Sequence, residues 1–137
     1  MPRYRVLPHT ADIGVVAGGA TVEEAFENAA FAMFDIVFDL ADVPATEAVR
    51  VEAAGDTPGE LLVAWLSALL AEAEIRGLAL CRFGVDMLPG GRLRGSAAGS
   101  SSAGRGLRGP PVKAVTYHDL AVEEVPGGWE ARVIFDV

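Results

Sequence analysis

Three short segments hold most of the residue types that could carry out acid–base or metal chemistry in this chain. They are residues 9–14 (HTADIG), residues 112–118 (VKAVTYH) and the last four residues, 134–137 (IFDV). Both histidines and the only lysine fall within these segments. We therefore expect one polar site assembled from distant parts of the chain. Its candidate residues are His9, Asp12, Lys113, His118, Asp136 and Val137.

Asp12 and Asp136 indicate a cation site. Asp12 begins one predicted strand and Asp136 ends another, so the two carboxylates meet if these strands pair side by side and antiparallel. Close carboxylates repel each other, and each then needs a proton, a cation or an arginine partner. Together with the terminal carboxylate of Val137 they form a set of hard oxygen ligands, which suits Ca²⁺ or Mg²⁺.

A purely structural interpretation of the same pair is equally open. Asp12 then caps an N-terminal turn, and Asp136 forms a salt bridge to Arg3 or Arg5. Three further acids are candidate ligands, although a solvated helix end is the favoured interpretation for them. They are Asp35, Asp39 and Asp42.

The remaining polar candidates have ordinary alternatives too. His9 and His118 could act as general acid–base groups or as ligands, but a lone histidine is more often a hydrogen-bonded structural residue. Lys113 could bind a phosphate as a point charge. The run 104–109 (GRGLRG) matches a dinucleotide fingerprint by its letters only. A serine- and glycine-rich run precedes it and two prolines follow, whereas that motif needs a strand before it and a helix after it.

Composition indicates one domain spanning residues 1–137, with a net charge of −8. The lone Cys81 fits a reducing compartment, and the N-terminus has no apolar signal segment, so we expect a cytoplasmic protein. The positive charge is concentrated between Asp86 and Asp119, where no acid occurs. A solvated loop is the favoured interpretation of this stretch, and contact with a polyanion or an acidic partner is the alternative. Its basic residues are Arg92, Arg94, Arg105, Arg108 and Lys113.

The spacing of apolar and turn residues predicts two helices among about seven strands. Thr21 and Thr57 each precede a glutamate by three residues, a capping box that opens a helix, and Gly77 is the expected end of the second helix. The fold class is therefore α+β, with two helices packed on a mostly antiparallel sheet. Residues 95–111, rich in Gly, Ser, Arg and Pro, are predicted to be a flexible loop. The predicted strands are residues 4–7, 12–17, 49–53, 78–87, 92–97, 112–124 and 129–137.

Taken as a set, five segments resemble the archease family. They occur in the family's order, cover nearly the whole chain and are highly specific together. The glycine- and arginine-rich residues 95–111 depart from the more acidic, structured connection expected of the family. The matching segments are residues 9–14 (HTADIG), 21–30 (TxxEAFENAA), 61–67 (LLVAWLS), 112–118 (VKAVTYH) and 131–137 (ARVIFDV).

This resemblance implies a non-catalytic protein that assists the RNA ligase RtcB in tRNA splicing or RNA repair. Family members speed guanylylation of the ligase, let it turn over repeatedly and broaden its nucleotide use beyond GTP. The family's metal site, described with calcium, corresponds here to Asp12, Asp136 and a main-chain or terminal oxygen of Val137, with Mg²⁺ or Mn²⁺ as alternatives. RNA is then contacted only through the ligase. Candidates for docking at the ligase active site are His9, Lys113 and His118.

Two other functions fit the same residues. A stand-alone metal-dependent phosphoesterase would use Asp12, Asp136, His9 and His118. A general protein or RNA chaperone would instead use the basic loop and exposed apolar surface. The first predicts turnover of phosphate esters without a partner, and the second predicts action on many clients.

Overall fold

The computed structural model describes residues 3–7 and 12–137, and in them the chain forms two α-helices, eight β-strands and one short 3₁₀ helix. No helix of this described part is both long and apolar enough to cross a membrane. The elements in chain order are β1 (Tyr4–Leu7), β2 (Asp12–Gly19), α1 (Val22–Asp35), the 3₁₀ helix (Leu40–Asp42), β3 (Glu47–Ala54), α2 (Pro58–Arg76), β4 (Leu78–Leu88), β5 (Arg92–Ser101), β6 (Ala114–Val115), β7 (Ala121–Val125) and β8 (Gly128–Asp136).

The strands form two antiparallel sheets. One has five strands in the order β1-β2-β8-β6, with β7 also paired to β8, and the other has three in the order β3-β5-β4. Helix α1 contacts β2, β8 and β4, while α2 contacts β3, β5, β6 and β7. Because both helices contact both sheets, each sheet has one face against the helices and one outer face turned away from them. The α+β class with two helices on antiparallel sheets is confirmed.

Both helices begin at the predicted capping boxes. The Thr21 hydroxyl oxygen accepts a hydrogen bond from the Glu24 N–H, and Thr57 accepts one from the Glu60 N–H, each at 3.1 Å. Each glutamate in return accepts from the N–H of the residue before the threonine, at 3.4 and 2.9 Å. Gly77 ends α2 in the left-handed conformation (φ 64°), which a glycine adopts without a steric penalty.

Trp65, near the middle of α2, joins three elements at the centre of the core. Its side chain is fully buried, and its indole N–H donates a hydrogen bond to the Phe26 carbonyl oxygen of α1 at 3.1 Å. The indole ring lies directly against Gly95 of β5, where a Cβ atom would overlap the ring. Gly99 likewise lies against the backbone of Ala79 on β4. Both glycines are therefore packing residues of a strand.

This packing accounts for a difference between the predicted loop at residues 95–111 and the structure. Residues 95–101 belong to β5, so the assignment of 95–111 to a loop is wrong over its first seven residues. A run of glycine and serine residues is typical of a loop. Here, however, the two glycines allow the Trp65 indole ring and the β4 backbone to approach the strand closely. The predicted strand 112–124 is also interrupted, because only Ala114–Val115 and Ala121–Val125 pair with β8.

Arg108 anchors the segment that follows β5. Its N–H donates to the Val37 carbonyl oxygen (2.6 Å), and its guanidinium forms ion pairs with Asp35 (3.5 Å) and Asp39 (3.0 Å). Asp35 also accepts a hydrogen bond from the Tyr4 hydroxyl at 2.8 Å. One contact network therefore holds the edge strand β1, the end of α1 and the segment 102–113 together.

Replacing Gly95 by Ala is expected to destabilise the fold. The added methyl group would overlap the buried Trp65 ring, and overpacking of this kind costs about 1–3 kcal/mol. Urea unfolding followed by tryptophan fluorescence measures the loss. Gly106→Ala is the matched control, since nothing lies within 4 Å of a Cβ at that position. Equal stability of the two variants would contradict the close packing of Trp65 on β5.

The Tyr4–Asp35 hydrogen bond predicts an unusual alkaline titration. Burial, followed by the hydrogen bond to Asp35, raises the pKa of Tyr4 to about 12. Since the folded pKa lies above the ordinary value near 10, this contact stabilises the fold below about pH 10, and the contribution is lost as the pH rises towards 12. Tyrosinate absorbance should show one late component, absent in Tyr4→Phe and retained in Tyr117→Phe. A Tyr4 titration near 10 would contradict both the burial of its hydroxyl group and the hydrogen bond to Asp35.

Candidate site at the Asp12–Asp136 strand pair

The pairing of β2 with β8 brings the two predicted carboxylates together. Asp12 lies directly opposite Asp136, at the end of an eight-residue antiparallel register that runs to Gly19 opposite Trp129. Directly opposed residues of antiparallel strands have side chains on the same face. Buried Val15 and Phe135 belong to the helix-facing core, so alternation places Asp12 and Asp136 on the outer face. We call these two residues the acidic pair.

Among its described residues, the structure does not contain the salt bridge that the structural interpretation predicts between Asp136 and Arg3 or Arg5. Arg3 lies over the Phe31 ring, with its guanidinium carbon 4.1 Å from the ring centroid. Arg5 pairs with Val16, four residues along β2 from Asp12. Neither arginine forms an ion pair with Asp136 in the described part of the chain. The alternative role of Asp12 as a turn cap involves residues 8–11, which lie outside the described residues, as does the candidate His9.

The third strand of this site, β6, has only two residues, Ala114 and Val115. The Lys113 N–H donates to the Asp136 carbonyl oxygen at 2.7 Å, and Ala114 lies opposite Asp136. Thr116 is bonded twice to the Ile134 carbonyl oxygen, through its N–H (3.0 Å) and its hydroxyl (2.9 Å). Asp136 is therefore held between two neighbouring strands, and the Lys113 backbone is fixed beside it.

His118 lies in a protrusion from the edge of the sheet, formed by residues 116–120. The chain leaves β8 opposite Ile134 and pairs with it again at Ala121, opposite Arg132. The His118 N–H donates to the Thr116 hydroxyl oxygen at 3.3 Å, and its ring nitrogen lies 3.6 Å from an Asp119 carboxylate oxygen. Tyr117 and His118 are exposed, so both side chains of the protrusion are accessible to solvent.

Leu120 and Thr116 are the residues of this region that sequence patterns did not indicate. Leu120 ends the protrusion and packs against Gly59 in the first turn of α2, where an added Cβ would lie 2.9 Å from the leucine methyl group. Thr116 bonds both to β8 and to the His118 backbone. The only feature of the sequence that could have indicated this contact is an apolar leucine among polar neighbours, and such a pattern is weak evidence for burial.

Asp35, Asp39 and Asp42 lie apart from the acidic pair. Asp35 and Asp39 bind Arg108, and Asp39 also caps the 3₁₀ helix by accepting the Ala41 N–H at 3.1 Å. Asp42 is exposed. These acids therefore lie at the end of α1 and just after it, as the favoured interpretation predicts, although two of them are paired with an arginine and are not simply solvated.

The donor set at the acidic pair suits a hard cation. Like charges directly opposite each other on paired strands are destabilising, and a bridging cation removes that repulsion. In residues 3–7 and 12–137, no three His, Cys, Asp or Glu side chains converge on one point. The side-chain ligands available here are thus two carboxylates, which Val137 can supplement with main-chain oxygen. Since Ca²⁺ takes about six to eight oxygen ligands, several positions would be left for oxygens from water or a partner.

Known proteins match this chain over nearly its full length. A family model described as the "Archease protein family (MTH1598/TM1083)" matches residues 4–137. The protein archease of Methanosarcina mazei is 37% identical over 143 residues, covering 98% of this chain and 96% of the relative. That of Pyrococcus abyssi is 35% identical over 142 residues and covers both chains completely.

Two solved structures share the fold. The solution structure of protein 1598 of Methanobacterium thermoautotrophicum superposes with a TM-score of 0.83, at 35% identity and with complete coverage of both chains. A crystal structure from Thermotoga maritima, described as an archease and possible chaperone, gives a TM-score of 0.59 over 96% of this chain and 94% of that one. Its identity is 21%, so it supports the fold alone.

The family match and the full-length relatives agree with the five segments that the sequence shares with the family, three of which contribute to the site described here. This chain belongs to the archease family.

Proposed function

We propose that this protein is a non-catalytic accessory factor that activates the RNA ligase RtcB in the cytoplasm. It promotes guanylylation and repeated turnover of the ligase and widens its nucleotide use beyond GTP, in tRNA splicing or RNA repair. The observation that carries the proposal is the acidic pair, set in direct register on an outer sheet face of an archease-family chain.

The geometry of the pair suits a site that is completed by a partner. Asp12 and Asp136 would hold a divalent cation, Ca²⁺ by preference and Mg²⁺ or Mn²⁺ as alternatives, together with an oxygen of Val137. When bound, the cation supplies positive charge that binds the oxygens of a nucleotide triphosphate. Since residues 3–7 and 12–137 offer few ligands at this point, the remaining positions are assigned to the nucleotide and to the ligase.

The surrounding residues position the pair and guide docking. Asp136 is held on one side by β2 and on the other by the Lys113 N–H. The Lys113 ammonium can approach phosphate oxygens as a point charge. His118, in the protrusion beside β8, and His9 are the further groups proposed to contact the ligase. The attack on the nucleotide is carried out by the ligase's own nucleophile.

A general chaperone is less well supported by the surface. Binding of many clients needs a contiguous exposed apolar patch. The exposed large apolar side chains of the described residues lie on four different segments: β1, α2, the segment 102–113 and the protrusion. They are Val6, Ile75, Leu107 and Tyr117.

Substitution of either acid by its amide should abolish activation. Asp12→Asn or Asp136→Asn removes one negative charge from the pair, and loss of a metal-binding carboxylate is expected to weaken Ca²⁺ binding by at least roughly tenfold. Ligase guanylylation under multiple-turnover conditions, and Ca²⁺ titration calorimetry of this protein alone, measure the two effects. Asp42→Asn, a charge-matched change at an exposed position, should behave as wild type.

The two readouts separate the possible failures. Normal activation by both amide variants would reject the role of the acidic pair, even if Ca²⁺ binding fell. Activation that is lost while Ca²⁺ binding is unchanged would reject the role of a bound cation, and the acidic pair would then act as a docking surface for the ligase. Hydrolysis of generic phosphate esters by the wild type with metal and no ligase, lost in Asp12→Asn, would replace the activator by the phosphoesterase.

A further inference from the structure

The outer face of the three-stranded sheet carries an unusual number of arginines for a protein with a net charge of −8. Strand alternation places Arg50 of β3, Arg82 of β4, and Arg92 and Arg94 of β5 on this face. All four are exposed. They come from three separate stretches of sequence, so the cluster is formed by the strand register and is not visible as a charge run. We call this surface the arginine face.

A fifth arginine extends the arginine face at one end of β5. The guanidinium of Arg105 donates to the Ser101 carbonyl oxygen and to the Ser100 hydroxyl, both at 3.0 Å. Ser100 lies on the outer side of β5 by alternation and is buried. Serine oxygens, not carboxylates, therefore hold Arg105 in place, and its positive charge is retained.

Few carboxylates neutralise this face. Glu52 forms an ion pair with Arg94 at 3.9 Å, and Asp86 lies opposite Arg94 on β4. Both acids therefore flank the same arginine.

The other three arginines of the strands are not paired with an acid of the described chain. Arg50, Arg82 and Arg92 form no ion pair with residues 3–7 or 12–137. Arg108, another basic residue near β5 in sequence, is engaged by Asp35 and Asp39 and does not contribute.

A shallow groove of about 440 Å³ crosses the arginine face. Gly84 and Ser96, directly paired on β4 and β5, form part of its floor, and the charged side chains of Arg50, Arg94 and Asp86 contribute to its lining. The Ser96 hydroxyl makes no hydrogen bond to the described residues and can donate to a ligand. Glu27 of α1 also lines the groove, with its carboxylate held by the Val85 N–H at 3.0 Å, so a phosphate would approach from the side of Arg50 and Ser96.

The side chains on this face favour a nucleic-acid backbone over an acidic protein. Protein interfaces are typically centred on aromatic and other large apolar residues, whereas between the arginines this face has mainly small residues, with Leu88 opposite Arg92 as a larger apolar side chain. The small residues are Ala48, Ala54, Gly84, Ser96 and Ala98. Aromatic residues, which would stack on bases, are absent from the outer side of these three strands. Arginine and serine donors without base-stacking groups match phosphate contacts, which position a nucleic acid without reading its sequence.

We propose that the arginine face binds the phosphate backbone of RNA directly and with little sequence preference. This goes beyond the proposed activation of the ligase, in which RNA is contacted only through the ligase. The two surfaces are on different sheets, so RNA binding does not depend on the acidic pair.

Fluorescence anisotropy with a labelled 20-nucleotide RNA, in about 50 mM salt and without ligase, tests the proposal. Binding should weaken with salt, with a slope of log K against log[salt] of about −2 to −3, since each phosphate contact of a single strand contributes about −0.7. Arg50→Ser/Arg92→Ser should weaken binding at least roughly tenfold and reduce the slope by about 1.4. Ser96→Glu, at an exposed position in the groove, should weaken binding without removing an arginine.

The matched control is Arg5→Ser/Arg132→Ser, which removes the same charge from the outer face of the other sheet, where both residues flank Val16. It should bind RNA as the wild type does, and a scrambled RNA should bind equally well. Equal loss in both double variants, or no binding by the wild type, would overturn the proposal. Competition by polyglutamate as effective as that by unlabelled RNA would overturn it in favour of an acidic protein partner. Because no ligase is present, none of these outcomes bears on the activation assay.

Discussion

The register between β2 and β8 is the constraint on which the candidate site depends. A shift by one residue would send every side chain of β2 to the opposite face, so Asp12 would leave the outer face and the buried Val15 would become exposed on it. The core opposes such a shift, since Val15 and Phe135 are completely buried on the helix-facing side. Close packing at the other end, where Gly128 lies against the Gly19 carbonyl oxygen, further fixes the alignment. Two like charges are thus held opposite each other by apolar burial elsewhere in the same strand pair.

The placement of both helices against both sheets leaves the molecule with two outer faces of opposite charge. On the five-stranded sheet, alternation puts the acidic pair on the same side as Glu123 and Glu130, with Arg5 and Arg132 as the balancing cations. On the three-stranded sheet, five arginines face three carboxylates, those of Glu27, Glu52 and Asp86. The net charge of −8 therefore conceals a strong separation of charge. One face is suited to cations or a basic partner, and the other to phosphates.

Sequence patterns predicted those features that depend on neighbouring residues. Both capping boxes and the Gly77 stop were correct because a cap is formed by residues three or four apart. The opposition of Asp12 and Asp136 was also predicted, since alternation and strand ends determine it once the strands are assumed to pair. The assignment of residues 95–101 to a loop failed, because the reason for Gly95 in a strand is the distant Trp65 ring. Arg50 and Arg82 were not grouped with Arg92 for the same reason, since only the strand pairing brings them together.

The segment 102–113 shows how long-range contacts can hold a chain that local sequence would leave loose. Arg105 binds Ser100 and Ser101 at its start, and Arg108 binds the end of α1 in its middle. Near its end Val112 is buried in the core, and the next N–H bonds to Asp136. The same segment thus begins on the arginine face and ends at the acidic pair. Its glycines and prolines exclude regular structure, so its side chains and backbone donors, rather than a helix or a long strand, set the position of the Lys113 backbone beside the carboxylates.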